Sequence, residues 1–181
     1  MPAGRVQRRA VPLASIRLLV LDVDGVMTDG RLYMGPDGEH EKCFHVRDGY
    51  GIRALMAAGI EVAVLTGRRS LALQRRCEEL GISHLHQGLE DKAAEFTRLR
   101  QRLGLSAREC AYVGDDAPDV PVLKQVGLAV AVADAHPVAR SEAHRRTRLP
   151  GGAGAVREVC DWLLSARERA GRLAGRSAGR S

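Results

Sequence analysis

Four short apolar runs, each stopping at an acid, threonine, glycine or alanine instead of running on into a polar face, constrain this chain more than any other feature. Residues 16–22 (IRLLVLD), 61–65 (EVAVL), 110–113 (CAYV) and 128–132 (LAVAV) are too short for ordinary helices and too continuously apolar for strands with one face in water. Runs of this form are strands buried on both faces of a parallel sheet. Residues 84–86 are a weaker fifth candidate. Helical patterns at 49–58, 70–80, 92–103 and 118–126 fall between them. Strands alternating with helices of about ten residues predict an α/β fold with a doubly wound, Rossmann-like parallel sheet.

One segment breaks the alternation. Residues 31–46 (RLYMGPDGEHEKCFHV) hold two strand-like pieces around Gly35-Pro36-Asp37-Gly38, the signature of a β-hairpin directly after the first strand. A last helix is predicted over 153–166, with Val156, Val159, Cys160 and Leu163 on one face. A chain of 181 residues suits one domain. Its expected limits are 16–165, with 1–15 and 166–181 as disordered basic tails.

The net charge of +6 resides in those tails, which carry +3 and +4 and leave the body at −1. A near-neutral body with 3% aromatic residues argues against a nucleic-acid surface. Only three of the 28 basic residues are lysine, Lys42, Lys92 and Lys124, so each lysine carries more information than any one arginine. Cys43, Cys77, Cys110 and Cys160 are widely spaced, with no C-x-x-C pair, and read as reduced thiols. No apolar run approaches the roughly 18 residues of a membrane span, and the expected location is the cytoplasm.

In a parallel α/β sheet, ligands bind at the carboxyl ends of the strands. Here those ends are acidic. The first carries Asp22-Val23-Asp24-Gly25, the second Thr66-Gly67-Arg68 and the 110–113 strand Gly114-Asp115-Asp116, with Asp119 a helical turn later and Lys92 opening the intervening helix. Converging carboxylates repel one another unless a cation or a shared proton compensates. Oxygen-only ligation by Asp22, Asp115 and a main-chain carbonyl, with Asp24 in the same metal site, suits Mg²⁺ far better than Zn²⁺. Phosphate monoester hydrolysis needs a nucleophile, a proton donor and charge neutralisation. Asp22 fits the first as acceptor of an aspartyl-phosphate, Asp24 the second as general acid and base, and Thr66 and Lys92 the third. Asp116 and Asp119 would support the metal site and Lys92 from behind.

The D-x-D-G, Thr, Lys and G-D-D-x-x-D elements, in this order, resemble the haloacid dehalogenase superfamily. The stretches LDVDGVMTDGRLYMGPDGE, FHVRDGYGIRAL, GIEVAVLTGRRS, YVGDDAPDVPVL and GGAGAVREVCDWLL extend the resemblance, over about residues 16–165, to its 3-deoxy-D-manno-octulosonate (KDO) 8-phosphate phosphatases. The resemblance implies Mg²⁺-dependent hydrolysis of KDO 8-phosphate to KDO and phosphate, a step in lipopolysaccharide precursor synthesis. It also implies a homotetramer in which hairpins associate and a neighbour helps close the site. For the sugar acid it implies contacts from Asp24, His45, Val46, Arg47, Asp48, Gly49, Arg53, Arg68, Arg76 and Lys92.

Spacing points the same way. Asp22 and Thr66 are separated by 43 residues and Thr66 and Lys92 by 25, too few for a cap domain in either gap. The site is therefore expected to be open within one chain. Two positions depart from the family pattern: His45 where Asn is frequent, and Ala153 where a basic residue is common. His84 and His86 lack a third ligand and read as packing residues, and residues 134–137 read as a helix cap. The competing readings are the same chemistry on a nine-carbon sialic or deaminated sialic acid 9-phosphate, and a catalytically silent assembly module. A phosphosugar mutase would need a closed site that excludes water.

Overall fold

The protein is described here from a computed structural model covering residues 10–36 and 38–178. Six strands form one parallel sheet in the order β5-β4-β1-β6-β7-β8: β1 Leu18–Leu21, β4 Glu61–Leu65, β5 His84–His86, β6 Cys110–Gly114, β7 Leu128–Ala131 and β8 Arg145–Arg146. Every residue of β1, β6 and β7 is buried, as the unbroken apolar runs require. The two-residue β8 at the sheet edge carries only exposed arginines and had no apolar signal in the sequence. The predicted hairpin is present as β2 Tyr33–Gly35 and β3 Gly38–Glu41, an antiparallel pair separate from the main sheet.

The helices are α1 Val46–Ala57, α2 Leu71–Leu80, α3 Lys92–Arg102, α4 Val120–Leu123, α5 Pro137–Arg140 and α6 Ala155–Ala178. From β1 the chain runs outward through β4 to β5, then returns to β6 on the other side of β1. With right-handed crossovers, this reversal places α1 and α2 on one face and α3 and α4 on the other. It also makes the β1–β6 boundary the switch point where a crevice opens. The core is aliphatic, with Phe96 and Tyr112 as its two large buried rings.

Helix ends follow from local chemistry. Ser70 caps α2 by accepting from the Leu73 amide, and Gly81 closes it with φ +79°. Asp91 caps α3 through the Ala94 amide at 2.9 Å. Lys92 at the first position of α3 opposes the helix dipole, so its cation is held there by something other than helix propensity.

Both tails differ from expectation where they are described. Val11 is buried and its amide bonds the Gly127 carbonyl at 3.1 Å, so residues 10–15 are part of the domain; residues 1–9 lie outside the described range. The last helix, expected over 153–166, runs from Ala155 to Ala178, past the expected domain limit at 165. Alanine, arginine and leucine are strong helix formers, and the Glu168–Arg172 pair at 3.3 Å spans one turn. Local propensity there needs no apolar face.

The Gly-rich loop before α6 packs against the loop after β1. The Gly152 amide bonds the Val26 carbonyl at 3.0 Å, and a Cβ on Gly151 would lie 1.8 Å from the Gly25 carbonyl oxygen. Gly151→Ala should therefore lose about 1–3 kcal/mol of stability by forcing the two loops apart. Gly171→Ala, on an open stretch of α6 where a Cβ meets nothing within 4 Å, should gain about 0.5–1 kcal/mol. Urea unfolding of the two variants checks the opposite signs.

Candidate active site

Asp22 ends β1 with its amide bonded to the Val113 carbonyl of β6 at 3.0 Å. The chain then turns sharply, the amides of Val26, Met27 and Thr28 all bonding the Val23 carbonyl. Gly25 sits at φ +88°, and a Cβ there would come within 2.2 Å of Asp115 Oδ2. The glycine of D-x-D-G thus meets two demands, a left-handed turn and room for a carboxylate from the neighbouring strand.

At the end of β6, Gly114 leaves space for Asp119 to fold back beneath the loop; a Cβ on Gly114 would lie 2.6 Å from Asp119 Cβ. Asp119 Oδ2 accepts the amides of Asp115 at 2.8 Å and Asp116 at 3.2 Å. Its Oδ1 accepts the Tyr112 hydroxyl at 2.7 Å and Lys92 Nζ at 2.7 Å. Lys92 Nζ also reaches Asp22 Oδ1 at 2.6 Å. One buried ammonium thus joins residues from β1, α3 and the β6 loop.

Burial, then the Asp119 charge, push the Asp22 carboxyl up to about 6 against the opposing pull of Lys92. Asp115 rises to about 8, first through burial and then through the charges of Asp22 and Asp119. Burial works against the Lys92 ammonium, but the two carboxylates outweigh it and its pKa goes up. Among the described residues no ammonium pairs with Asp115, so the adjacent acids share more negative charge than Lys92 neutralises.

The donor set fits a hard divalent cation. Carboxylate oxygens of Asp22, Asp115 and Asp119 lie within 4.8 Å of one another. Asp119 has both oxygens occupied by four donors, which leaves Asp22 and Asp115 as the carboxylates free to ligate. The Asp24 carboxylate, expected beside them, faces Lys42 Nζ at 2.5 Å, with Arg68 Nε 3.8 Å away. Lys42, whose side chain is 2% exposed, was not anticipated as a site residue; the scarcity of lysine was its only signal.

A cleft of about 830 Å³ opens over these groups, lined by Asp22, Asp24, Thr66, Arg68, Lys92 and Asp115 among others. Buried Thr66 ends β4 with its hydroxyl accepting the Arg68 amide at 3.3 Å. Exposed Asp116 lines the rim and caps the following turn through the Ala117 amide at 2.7 Å.

The remaining expected contacts lie elsewhere in the chain. Arg47 lines a separate groove with Arg148, Arg157 and Trp162. Arg53 is exposed on α1, and Val46 is exposed beside Tyr50. His45 caps α1 through the Arg47 amide, while His45, Asp48, Gly49 and Arg76 border a pocket of about 10 Å³. Asp48 is buried, and its Oδ1 accepts the Arg157 amide at 2.8 Å, tying α1 to the start of α6. The two strand histidines pair with acids, His86 with Glu95 at 2.9 Å and His84 with Glu61 at 3.5 Å. His136 caps α5 through the Val138 amide.

Residues 47–127 match the haloacid dehalogenase-like hydrolases. The 3-deoxy-D-manno-octulosonate 8-phosphate phosphatase KdsC of Yersinia pestis is 54% identical, over 86% of this chain and 83% of its own. The crystal structure of the Yersinia pestis phosphatase superposes with a TM-score of 0.85 at 54% identity, covering 87% of this chain and 85% of that one. The Moraxella catarrhalis enzyme, crystallised in complex with magnesium, phosphate and KDO, gives a TM-score of 0.85 at 38% identity, covering 91% and 94%.

The raised carboxyls fix the sign of a pH effect. Asp22 and Asp115 hold protons more tightly in the folded chain than unfolded, so the contribution of these two groups to the stability of the metal-free protein is greatest below the unfolded pKa of 3.8 and is lost as pH rises through about 6 and about 8. If the deprotonated pair holds Mg²⁺, the ion should raise the melting temperature far more at about pH 8.5 than at about pH 5. Thermal melts in EDTA and in Mg²⁺ at both values check this; an equal Mg²⁺ effect at both would remove the pair as its ligands.

Proposed function

The chain belongs to the KDO 8-phosphate phosphatases of the haloacid dehalogenase superfamily, and on that premise we propose how its own residues divide the work. The enzyme is a Mg²⁺-dependent phosphomonoesterase that hydrolyses KDO 8-phosphate to KDO and inorganic phosphate. The observation that carries the assignment is Asp22 at the sheet's switch point, bonded to buried Lys92 at 2.6 Å and with its carboxylate within 4.8 Å of that of Asp115 in an open cleft.

Asp22 attacks phosphorus, the ester P–O bond breaks, and the phosphoryl group is carried as an aspartyl-phosphate. Asp24 gives its proton to the departing sugar hydroxyl and takes one back from the water that attacks the aspartyl-phosphate, releasing phosphate and restoring Asp22. Thr66 and Lys92 hold phosphoryl oxygens, Lys92 with the N–H left over from its two carboxylate bonds. Asp22, Asp115 and the Asp24 main-chain carbonyl would hold Mg²⁺. When bound, the ion supplies charge neutralisation for the phosphoryl group. Asp119 holds Lys92 and the 115–116 amides in place, and Asp116 shapes the rim.

Arg68, at the cleft beside Asp24, is the arginine of this chain best placed for the substrate carboxylate, which suits a bidentate guanidinium. His45, Val46, Arg47, Asp48, Gly49, Arg53 and Arg76 cluster on and around α1, outside this cleft. Their proposed contribution is through a homotetramer, in which the hairpin associates and a neighbour walls the site. Exposed Leu32, Tyr33 and Met34 on an isolated two-stranded hairpin support that arrangement, because such a pair is marginal in water alone. We propose a cytoplasmic location, where sugar-acid phosphates are made, and a domain reaching from about residue 10 into α6.

Turnover of a sugar-phosphate panel should fall to background with EDTA and by at least about 10³-fold in Asp22→Asn. Retained turnover in that variant would overturn the nucleophile assignment. Comparable kcat/KM on a nine-carbon sialic acid 9-phosphate would broaden the substrate, and folded protein inactive on every sugar-acid phosphate would favour the silent module. Light scattering should give a tetramer, and Met34→Lys on the hairpin should weaken it; a monomeric wild type would remove the shared-site reading.

A further inference from the structure

Tyr112 has no part in the phosphatase motifs, yet it is the largest fully buried side chain among the described residues and the one polar tip in the middle of a strand that is otherwise apolar. It sits at the centre of β6, opposite Val20 on one side and Ala129 on the other. Side chains two apart on a strand share a face, so the ring points the same way as the bare position at Gly114. That is the face into which Asp119 folds, against the space a Gly114 Cβ would fill. A buried phenol needs a partner for its O–H, and this one donates to Asp119 Oδ1 at 2.7 Å.

The consequence lies in the count of lone pairs. A carboxylate oxygen offers about two acceptor sites. On Asp119 the two backbone amides fill Oδ2, and the Tyr112 hydroxyl fills one site of Oδ1, which leaves a single site for Lys92. The ammonium has three N–H groups. Asp119 can take one, Asp22 takes a second at 2.6 Å, and the third is left for the cleft. Without the hydroxyl, Oδ1 would lose one of its two donors, and its less neutralised charge would pull harder on the ammonium. Lys92 would then settle toward Asp119 and away from the nucleophile.

We propose that Tyr112 is a positioning residue for the phosphoryl-transfer step: by occupying one acceptor site on Asp119, it holds the Lys92 ammonium on Asp22 and keeps one of its N–H groups turned to the phosphoryl group. The assignment rests on Asp22 and Lys92 acting as proposed above, and it adds a residue that touches neither substrate nor metal.

Tyr112→Phe removes one oxygen and leaves the ring that fills the core. The expected result is a fall in kcat of about tenfold or more with KM for KDO 8-phosphate within about twofold. Weaker inhibition by vanadate should accompany it in proportion to kcat, at a nearly unchanged melting temperature. The chain has only three lysines, so a ¹⁵N spectrum of the lysine ammonium groups is simple, and the Lys92 signal should shift in the variant while Lys124 stays fixed. Unchanged kcat with an unmoved Lys92 signal overturns the proposal. So does a loss of kcat, KM and melting temperature together, which marks a packing defect.

If the variant does not fold, the wild type decides. A slowly exchanging Tyr112 hydroxyl proton with a cross-peak to the Lys92 ammonium supports the proposal, and a rapidly exchanging one overturns it. Wild-type turnover and its loss in Asp22→Asn test the underlying phosphatase reading separately, since the ammonium spectrum needs no substrate.

Discussion

The ammonium of Lys92 lies between two buried carboxylates, and the surrounding structure is arranged so that it can. Asp22 arrives on β1, Asp119 on the loop after β6, and Lys92 at the first turn of α3, where the helix dipole disfavours it. Removing one partner from a buried pair costs about 3–5 kcal/mol, because the remaining charge is left without compensation. Here the ammonium serves two acids and Asp115 adds a third, so the cluster stays short of positive charge. Burial, and then that deficit, raise the Asp22 and Asp115 carboxyls, and the uncompensated charge makes the site receptive to a divalent cation. The same shortage of positive charge would favour a divalent cation held by these carboxylates.

Glycines make the approach possible. Gly25 lets the β1 loop pass within reach of the Asp115 carboxylate, Gly114 admits Asp119, and Gly151 admits the Gly25 carbonyl. The last contact links the reaction loop to the start of α6, which Asp48 in turn fastens to α1 through the Arg157 amide. The Gly-rich segment before α6 is thereby a buttress for the β1 loop of its own chain. A backbone contact of this kind does not depend on the side chain at Ala153.

Within one chain the cleft holds what transfers a phosphoryl group and little of what would recognise a sugar acid. Arg68 is the arginine at its rim; Arg47, Arg53 and Arg76 are held on or against α1. An uncapped site is wet, and water favours release of the phosphoryl group to hydrolysis over its return to the sugar. Openness therefore agrees with a phosphatase more than with a mutase.

The sequence by itself determined the layered α/β fold, the order of strands and helices, the hairpin, and the acids at the strand ends. Those properties are local: burial on both faces writes an unbroken apolar run, and a strand end at a ligand site must stop in the residues that do chemistry. The placing of Asp22, Thr66 and Asp115 at the carboxyl edge of the sheet was legible for that reason, and Lys92 at the start of α3 was legible as a scarce lysine beside them. Tertiary structure alone decided that Asp24 faces Lys42, that Asp119 spends both oxygens on structure, and that the α1 residues sit outside the cleft. It also decided that α6 runs on to Ala178 and that Val11 enters the core. A side chain's partner depends on which strands become neighbours and how closely their loops approach. Lys42 and Asp24 are 18 residues apart, and Lys92 and Asp22 are 70 apart, and no local pattern records either distance.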